Sequence, residues 1–152
     1  MSPFQNHAHY LKIFILIFSF SLFGCNQSAS DLGPTPEEVA IEFFEALYNQ
    51  KDLDKAVTYT TPKIKRIMLH YKTASAVQRH VLNMKYDQVV IEIDKTGRGQ
   101  PLIEKTAKSA KVTLFFSGHY DGRKMKDLKT VEMTKQADGW KVKKIKSDPY
   151  AS

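Results

Sequence analysis

The side chains that could carry acid–base chemistry are scattered along this chain. Catalysis of that kind needs a desolvated carboxylate or imidazole beside a proton donor. Asp52 and Asp54 lie at the start of a predicted helix, and Asp87 and Asp94 lie at the ends of a predicted strand, which are poor positions for a buried base. The sequence therefore predicts no catalytic pair, although five tyrosines could donate a proton: Tyr48, Tyr59, Tyr71, Tyr86 and Tyr120.

The histidines in the body of the chain do not form a metal-binding pattern. His70, His80 and His119 are not spaced at i, i+4, and no Asp or Glu accompanies them at the spacing of a zinc site. A glycine-rich phosphate loop and a nucleophile elbow are also lacking. We therefore predict no catalytic residue, no metal and no cofactor, and we expect a protein that is not an enzyme.

The single cysteine has a distinctive position, at the end of an apolar run from Ile13 to Phe23. This run matches the ~7–15 residues of a secretory signal core and is shorter than the ~20 residues that span a bilayer. The sequence Leu22-Phe23-Gly24-Cys25 resembles the lipobox of bacterial lipoproteins, although Phe23 is bulkier than the residue usual at its position. The resemblance implies that residues 1–24 are a removed signal peptide and that Cys25 carries the lipid.

Alternatives to the lipobox are a membrane-spanning helix, an ordinary secretory signal that is cut elsewhere, and a buried free cysteine. Two or three acyl chains would form a firm anchor, because one chain alone binds only marginally. Asn26 follows the cysteine, where aspartate would favour the inner membrane. By resemblance to lipoproteins of Gram-negative bacteria, we expect the periplasmic face of the outer membrane.

The rest of the chain is long enough for one domain. The formal charge of the 152 residues is +7, and removal of a leader that contains Lys12 leaves +7 − 1 = +6. We predict a lipidated cysteine and flexible tether over residues 25–34, a folded domain over residues 35–146 and a C-terminal tail over residues 147–152. With its one cysteine lipidated, the domain must fold without a disulfide.

Four helical segments are predicted before any strand. Thr35, Pro36 and Glu38 form a capping-box start, and the helix runs to about Tyr48. A shorter helix follows an Asp52 cap. Thr61-Pro62 repeats the cap-then-proline start, with an apolar stripe that includes Ile67. The helical pattern resumes from Ala74 to Met84, either as a separate helix or as the same helix after a bend.

Four strands follow, since the apolar period changes to two at Tyr86. The predicted strands cover Val89 to Ile93, Ala110 to Phe116, Leu128 to Lys135 and Trp140 to Ile145. Asp121-Gly122 and Asp138-Gly139 are turn signals. The alternation slips near the C-terminus, which predicts a β-bulge at Lys143-Lys144.

This order predicts an α+β fold, with N-terminal helices packed on a curved four-stranded antiparallel sheet. Three segments, Pro36 to Tyr48, Lys51 to Ala56 and Asp138 to Val142, resemble the small bacterial lipoprotein branch of the nuclear transport factor 2-like superfamily. That family has a cystatin-like cone with a pocket at its wide end, and it includes both enzymes and binding proteins. The resemblance therefore specifies a fold and leaves the function open.

Six aromatic residues could line such a pocket and bind a small apolar ligand, or could instead fill the core. They are Phe43, Tyr48, Tyr59, Tyr71, Phe116 and Trp140.

The segment from Lys63 to Lys85 contains no acidic residue. It is either a solvated helix face or a contact for an anionic surface, such as phospholipid headgroups or an acidic envelope polymer. The export signal argues against nucleic acid as a partner. The cations that could make this contact are Lys63, Lys65, Arg66, Lys72 and Arg79.

Three functional hypotheses follow. The first is a lipid-anchored, non-enzymatic binding or interaction module of the cell envelope. The second is an isomerase- or hydrolase-like enzyme that uses the cone pocket, and the third is an envelope-assembly or adhesion factor that acts through the basic helices. The oligomeric state is left open, a dimer included.

Overall fold

The computed structural model of the protein describes residues 33–94 and 106–146. The described residues all belong to one compact unit of the chain, Gly33–Ser152. The predictions for the signal peptide, for Leu22, Phe23, Gly24 and Cys25, for most of the tether and for the tail lie outside the described residues.

In the part of the chain that the structure describes, four helices come first, and each begins close to its predicted start. They are α1 (Pro36–Tyr48), α2 (Leu53–Thr58), α3 (Pro62–His70) and α4 (Ala74–His80). The capping box of α1 is confirmed, because the Glu38 amide donates to the Thr35 hydroxyl oxygen and the Thr35 amide donates to the Glu38 carboxylate. Asp52 caps α2 through its carboxylate, which accepts from the Lys55 amide at 2.8 Å.

Four antiparallel strands follow in the order of the sequence, β1-β2-β3-β4. They are β1 (Gln88–Ile93), β2 (Ser109–Tyr120), β3 (Arg123–Gln136) and β4 (Gly139–Ile145). Asp121 and Gly122 both have positive φ, as the type I′ turn of a two-residue hairpin requires. The predicted α+β class with one antiparallel sheet is therefore confirmed.

One face of the sheet carries the core. Buried and less buried residues alternate along β1 and β2, and α1 contacts β1, β2 and β4. The largest fully buried side chains come from α1, α3, α4, the connection that follows α4 and this covered face of the sheet, and they include Phe43, Phe44, Leu47, Phe116 and Met133. The helices thus form one layer and the sheet the other.

The bulge predicted in the last strand is confirmed. Glu132 pairs with Lys144 and the next residue, Met133, pairs with Val142, so that Lys143 has no partner on β3. The extra residue keeps Val142 buried with Met133 and lets Ile145 contact the core from further along β4.

Several predicted boundaries were wrong. The pattern from Ala74 to Met84 is not one helix, because α4 ends at His80 while Leu82 and Met84 remain buried in the connection to β1. β2 and β3 are longer than predicted at the ends that meet at Asp121-Gly122. Polar residues there interrupt the apolar alternation, although the strands continue.

Thr61 was predicted as the cap of α3 but makes no side-chain capping bond. Its amide instead donates to the Val142 carbonyl at 3.0 Å, and the Val142 amide donates to the Tyr59 carbonyl at 2.8 Å. A short parallel bridge between Thr60 and Val142 thus joins the helical layer to the outer edge of β4.

Buried polar side chains fix the connection between α4 and β1. The Tyr48 hydroxyl donates to the Met84 carbonyl at 2.8 Å, and the Lys129 ammonium group donates to the Leu82 carbonyl at 3.3 Å. Gln78 donates through its amide to the Leu47 carbonyl at 2.6 Å. These bonds satisfy backbone groups that regular secondary structure would otherwise pair.

β1 and β2 approach closely at Gly118. A Cβ atom there would lie 2.2 Å from the Gln88 carbonyl oxygen and 2.9 Å from the ring of Tyr86. Glycine is therefore required at this position, which allows the Tyr86 ring to lie against the covered face.

Candidate functional site

The five predicted cations all lie on the outside of the helical layer. Lys63, Lys65 and Arg66 are exposed on α3, Lys72 is exposed in the connection that follows, and Arg79 is exposed on α4. We call these five residues the basic helical surface.

The helices that carry this surface explain its exposure. Only Ile64 and Met68 of α3 are buried, because the main contacts of this helix are with α2 and β4 at one margin of the sheet. The covered stripe of α3 is therefore narrow, and the rest of the helix faces solvent.

The basic helical surface contains no acidic residue in its own segment, and Asp52 and Asp54 approach it only across a groove beside Lys72. No Asp or Glu occurs between Lys55 and Tyr86. Within residues 33–94 and 106–146, the three ion pairs are Lys55–Glu42, Lys141–Asp138 and Lys146–Glu132, and none includes a member of this surface. Its charges therefore add over a short distance and create a locally positive potential.

Two apolar side chains are exposed among these cations. Ile67 and Leu69 each expose 40% of their surface. Leu69 follows Lys65 by four residues and Arg66 by three, so it lies beside both on the helix. Ile67, which was predicted as part of the buried stripe, follows Lys63 by four residues and therefore lies beside it.

Aromatic contacts join the ends of α3 and α4. The ring of Tyr71 stacks on His80 with centroids 5.4 Å apart, and His70 meets Tyr71 edge-on at 5.3 Å. Both histidines are exposed, whereas Tyr71 is half-buried against the core. These contacts pack the C-terminal ends of α3 and α4 against each other.

Two of the grooves on the described surface are relevant here. A groove of about 460 Å³ lies between the α1–α2 and α3–α4 connections, and its lining includes Asp52, Asp54, Leu69 and Lys72. A larger groove of about 910 Å³ lies at the β1–β2–β3 end of the sheet, where Ser117, His119 and Lys126 contribute. Both grooves are at the surface and outside the packed interior.

The aromatic residues predicted as pocket lining lie in or against the core. Phe43, Tyr48 and Phe116 have no exposed surface, and Trp140 exposes 7%. Tyr59 and Tyr71 are partly buried and pack against the same cluster. Phe44 fills the space between α1 and the sheet through edge-on contacts with Phe43 and Phe116. None of the six predicted residues lines either groove.

Tyr86 and Asp127 form a tyrosine–carboxylate pair at the interface between the helices and the sheet. The Tyr86 hydroxyl donates to Asp127, and its ring meets Tyr48 edge-on at 5.7 Å. Burial, followed by the bond to Asp127, raises the pKa of Tyr86. Burial, with smaller contributions from Tyr86 and Asp127, also raises the pKa of Tyr48. Both phenols thus remain neutral and donate hydrogen bonds.

Asp127 was missed in the sequence because the third strand was predicted to begin at Leu128, and Lys129, although inside that predicted strand, was not recognised as a buried residue. They pair across β2 with Phe116 and Leu114, two core residues. Extending the alternation of Val131 and Met133 toward the N-terminus would have placed both charged residues on the covered face. The available signal was the two-residue alternation between the covered and uncovered faces, which continues through the polar residues of the strand.

The described residues contain no group of three side chains suited to hold a metal ion. Within the same ranges, no helix combines the length and the apolar character needed to cross a bilayer. No protein-family model, curated protein or solved structure matches the chain.

Proposed function

We propose that this protein is a lipid-anchored, non-enzymatic binding module of the bacterial cell envelope. The basic helical surface is its contact area, and the partner is an anionic surface. The observation that carries the proposal is that Lys63, Lys65, Arg66, Lys72 and Arg79 are exposed and that none of them forms an ion pair with a described residue.

The strength of such a contact can be estimated from its charges. A Lys or Arg near an anionic membrane surface contributes about 1 kcal/mol, so five contribute about 5 kcal/mol. That free energy corresponds to a dissociation constant of about 0.2 mM, which is weak for a freely diffusing protein. The basic helical surface would therefore act mainly where another attachment keeps it close to its partner.

The proposed lipid on Cys25 supplies that attachment. A second binding event becomes intramolecular once the first is made, and its effective concentration reaches the millimolar range for a short linker. Only residues 26–34 separate Cys25 from Thr35. The anchor and the weak basic contact thus complement each other, and the periplasmic side of the outer membrane is the proposed location.

Binding of inorganic polyphosphate to the full-length protein in a non-ionic detergent tests the charge contribution. Replacing Lys65, Arg66 and Lys72 by Glu should weaken binding by about a hundredfold or more, because three contributions of about 1 kcal/mol are lost and repulsion is added. Isothermal titration calorimetry measures the change directly.

A matched control carries the same charge reversal on the uncovered face of the sheet. Lys111, Lys124 and Lys126 are exposed, and Lys111 pairs with Glu132 across β2 and β3. Their replacement by Glu should weaken binding much less. Equal losses in the two triple variants would show that net charge alone attracts the polyanion, and the proposed contact area would be wrong.

A further inference from the structure

The first strand of the sheet has one side without a neighbouring strand. β1 stands at the end of the order β1-β2-β3-β4, and its backbone groups point alternately toward β2 and away from it. The Asp94 amide donates to the Thr113 carbonyl on β2, so the N–H and C=O groups of Ile91 and Ile93 point away from β2. Among the described residues, none bonds these outward groups. Residues 91–93 therefore present an open edge to which one more strand can be added.

The Asn49 side chain occupies the next outward position on the same edge. It donates to the Val89 carbonyl at 2.9 Å and accepts from the Val89 amide at 3.3 Å, which are the two bonds that an antiparallel strand makes at one residue. Asn49 also donates to the Glu45 carboxylate at 2.7 Å, and this contact places a negative charge beside the edge. The Val89 end of β1 is therefore closed, and the open edge begins at Ile91.

Acidic side chains flank the open edge. Helix α1 and strand β1 contact each other, and neither contains Lys or Arg. Glu92 is exposed in the middle of the open edge, and no ion pair within residues 33–94 and 106–146 includes Glu92 or Glu45. The groove of about 910 Å³ contains lysines, but its lining on β1 ends at Val90. The charge at the open edge is therefore negative, although the protein as a whole is basic.

These charges oppose pairing between the β1 strands of two copies of the chain. If Ile91 paired with Ile93 of a second copy, Glu92 would lie directly opposite Glu92, and like charges at that position destabilise a strand pair. If Ile93 paired with Ile93, Glu92 would lie opposite Asp94. If Ile91 paired with Ile91, Ile93 would lie opposite Val89, whose outward groups are already bonded.

The lysine-rich strand at the other edge of the sheet is also unsuited to this position in a second copy. Three of the seven residues of β4 are lysines. Val142, in the middle of β4, already exchanges backbone hydrogen bonds with Tyr59 and Thr61, and the bulge at Lys143 interrupts the edge beyond it. The strand that fits the open edge of β1 is therefore a segment of another protein.

We propose that the open edge of β1 binds an extended, basic segment of another protein as a fifth strand. The segment pairs with the backbones of Ile91 and Ile93 and carries a Lys or Arg opposite Glu92. Main-chain hydrogen bonds provide affinity in this mode of recognition, and the alternate side chains provide specificity. The open edge is separate from the basic helical surface, so this inference does not depend on the proposed contact with an anionic surface.

The test uses a short probe of this chemistry, acetyl-Lys-Val-Lys-Val-Lys-amide, with full-length protein labelled with ¹⁵N in a non-ionic detergent. Its two valines can pair with Ile91 and Ile93, which places the central lysine opposite Glu92. A second probe carries N-methyl groups on both valines, which removes the donors to β1 and keeps the charge. A third probe has Glu in place of each Lys. NMR titration gives the affinity, and hydrogen exchange locates the contact.

The lysine probe should slow exchange at the Ile91 and Ile93 amides and change the Val89 amide little, because Asn49 already bonds it. The N-methylated probe should bind at least tenfold more weakly. Glu92→Lys should weaken binding of the lysine probe by about three- to tenfold and favour the glutamate probe instead.

Glu132→Lys is the matched control, because it makes the same charge change on the same face of the sheet but on β3. It should leave the affinity for the lysine probe nearly unchanged. Circular dichroism of both variants verifies that they fold.

Three results would overturn the inference. If the lysine probe at millimolar excess leaves the Ile91 and Ile93 amides unprotected, the edge takes no basic strand. If the N-methylated probe binds equally well, or Glu92→Lys and Glu132→Lys weaken binding equally, net charge alone attracts the peptide. If these two amides are protected without a probe, and more so at higher protein concentration, a second copy occupies the edge.

Discussion

Where the connection between α4 and β1 packs on the covered sheet face, which we call the hydrogen-bonded margin, buried side chains join it to the helices and to β3 by hydrogen bonds. At the β4 margin, which we call the packed margin, apolar packing and a main-chain bridge join the helices to the sheet. Tyr48, Tyr86 and Lys129 make the first kind of contact. Val142 makes the second kind, since it is fully buried and pairs through its backbone with the Tyr59–Thr61 segment.

The difference follows from which backbone groups need hydrogen-bond partners at each margin. Helix α3 and the bridge at Thr60 already supply regular backbone partners for β4. The connection between α4 and β1 has no regular secondary structure, so its carbonyl groups need side-chain donors. At the packed margin, the free energy of unfolding should depend mainly on the volume of the buried side chains. At the hydrogen-bonded margin, it should depend on single polar atoms and on pH.

The largest expected effect is at the packed margin. Met133 is 1% exposed, and Met133→Ala should lower the free energy of unfolding by about 2–5 kcal/mol, because the cavity it leaves can collapse only in part. Urea denaturation monitored by circular dichroism measures this loss. Met125→Ala is the matched control on the same strand face, and since Met125 is only half-buried, its loss should be clearly smaller. Equal losses would contradict the comparison.

A smaller and pH-dependent effect is expected at the hydrogen-bonded margin. Tyr86→Phe should lower the free energy of unfolding by about 1–3 kcal/mol, because Asp127 loses its hydrogen-bond donor while half-buried. The raised pKa values of Tyr48 and Tyr86 set the direction with pH. Their stabilising contribution is complete below the unfolded-state pKa of about 10 and is lost as pH rises above it.

Thermal unfolding between neutral pH and the alkaline range checks this dependence. The Tyr48→Phe/Tyr86→Phe variant should start less stable but lose less of its stability above pH of about 10. Tyr120→Phe serves as a control, because Tyr120 is half-buried and its hydroxyl accepts from the Lys85 ammonium group, whereas the hydroxyls of Tyr48 and Tyr86 donate to a main-chain carbonyl and a carboxylate. A double variant with the same alkaline loss as the wild type would rule out these two phenols as its source.

The smallest effect is expected at the free edge of β1. The Asn49 side chain donates to the Val89 carbonyl at 2.9 Å and accepts from the Val89 amide at 3.3 Å, as a neighbouring strand would. Asn49→Ala should cost about 0.5–1.5 kcal/mol and speed hydrogen exchange at the Val89 amide, measured by NMR. Gln50→Ala, at the next exposed position, should change neither, and unchanged exchange in Asn49→Ala would contradict the role of this side chain.

Local signals in the sequence predicted the parts of the fold that depend on neighbouring residues. The capping box at Thr35, the turn at Asp121-Gly122 and the bulge at Lys143 each follow from a few adjacent residues, and the structure confirms them. The exposure of the basic helical surface could also be expected, since charged residues are rarely buried without partners.

The errors concern residues whose partners are distant in the sequence. Thr61 is a reasonable cap by composition, but its amide is taken by Val142 on the last strand. Ile67 fits an apolar stripe, yet α3 lies at a margin of the sheet where only Ile64 and Met68 are covered. Asp127 is tolerated on the covered face because the Tyr86 hydroxyl donates a hydrogen bond to its carboxylate. None of these relations has a local signature.

The bridge between Thr60 and Val142 also bears on when the domain can fold. A chain that is synthesised from its N-terminus presents Phe43, Phe44 and Leu47 long before β4 emerges, and the helical layer alone cannot bury them. The domain can therefore complete its core only when β4 is available. For the proposed exported lipoprotein, which would cross a membrane as an extended chain, this delay would be an advantage, because the helical layer cannot complete the fold before Val142 on β4 is available.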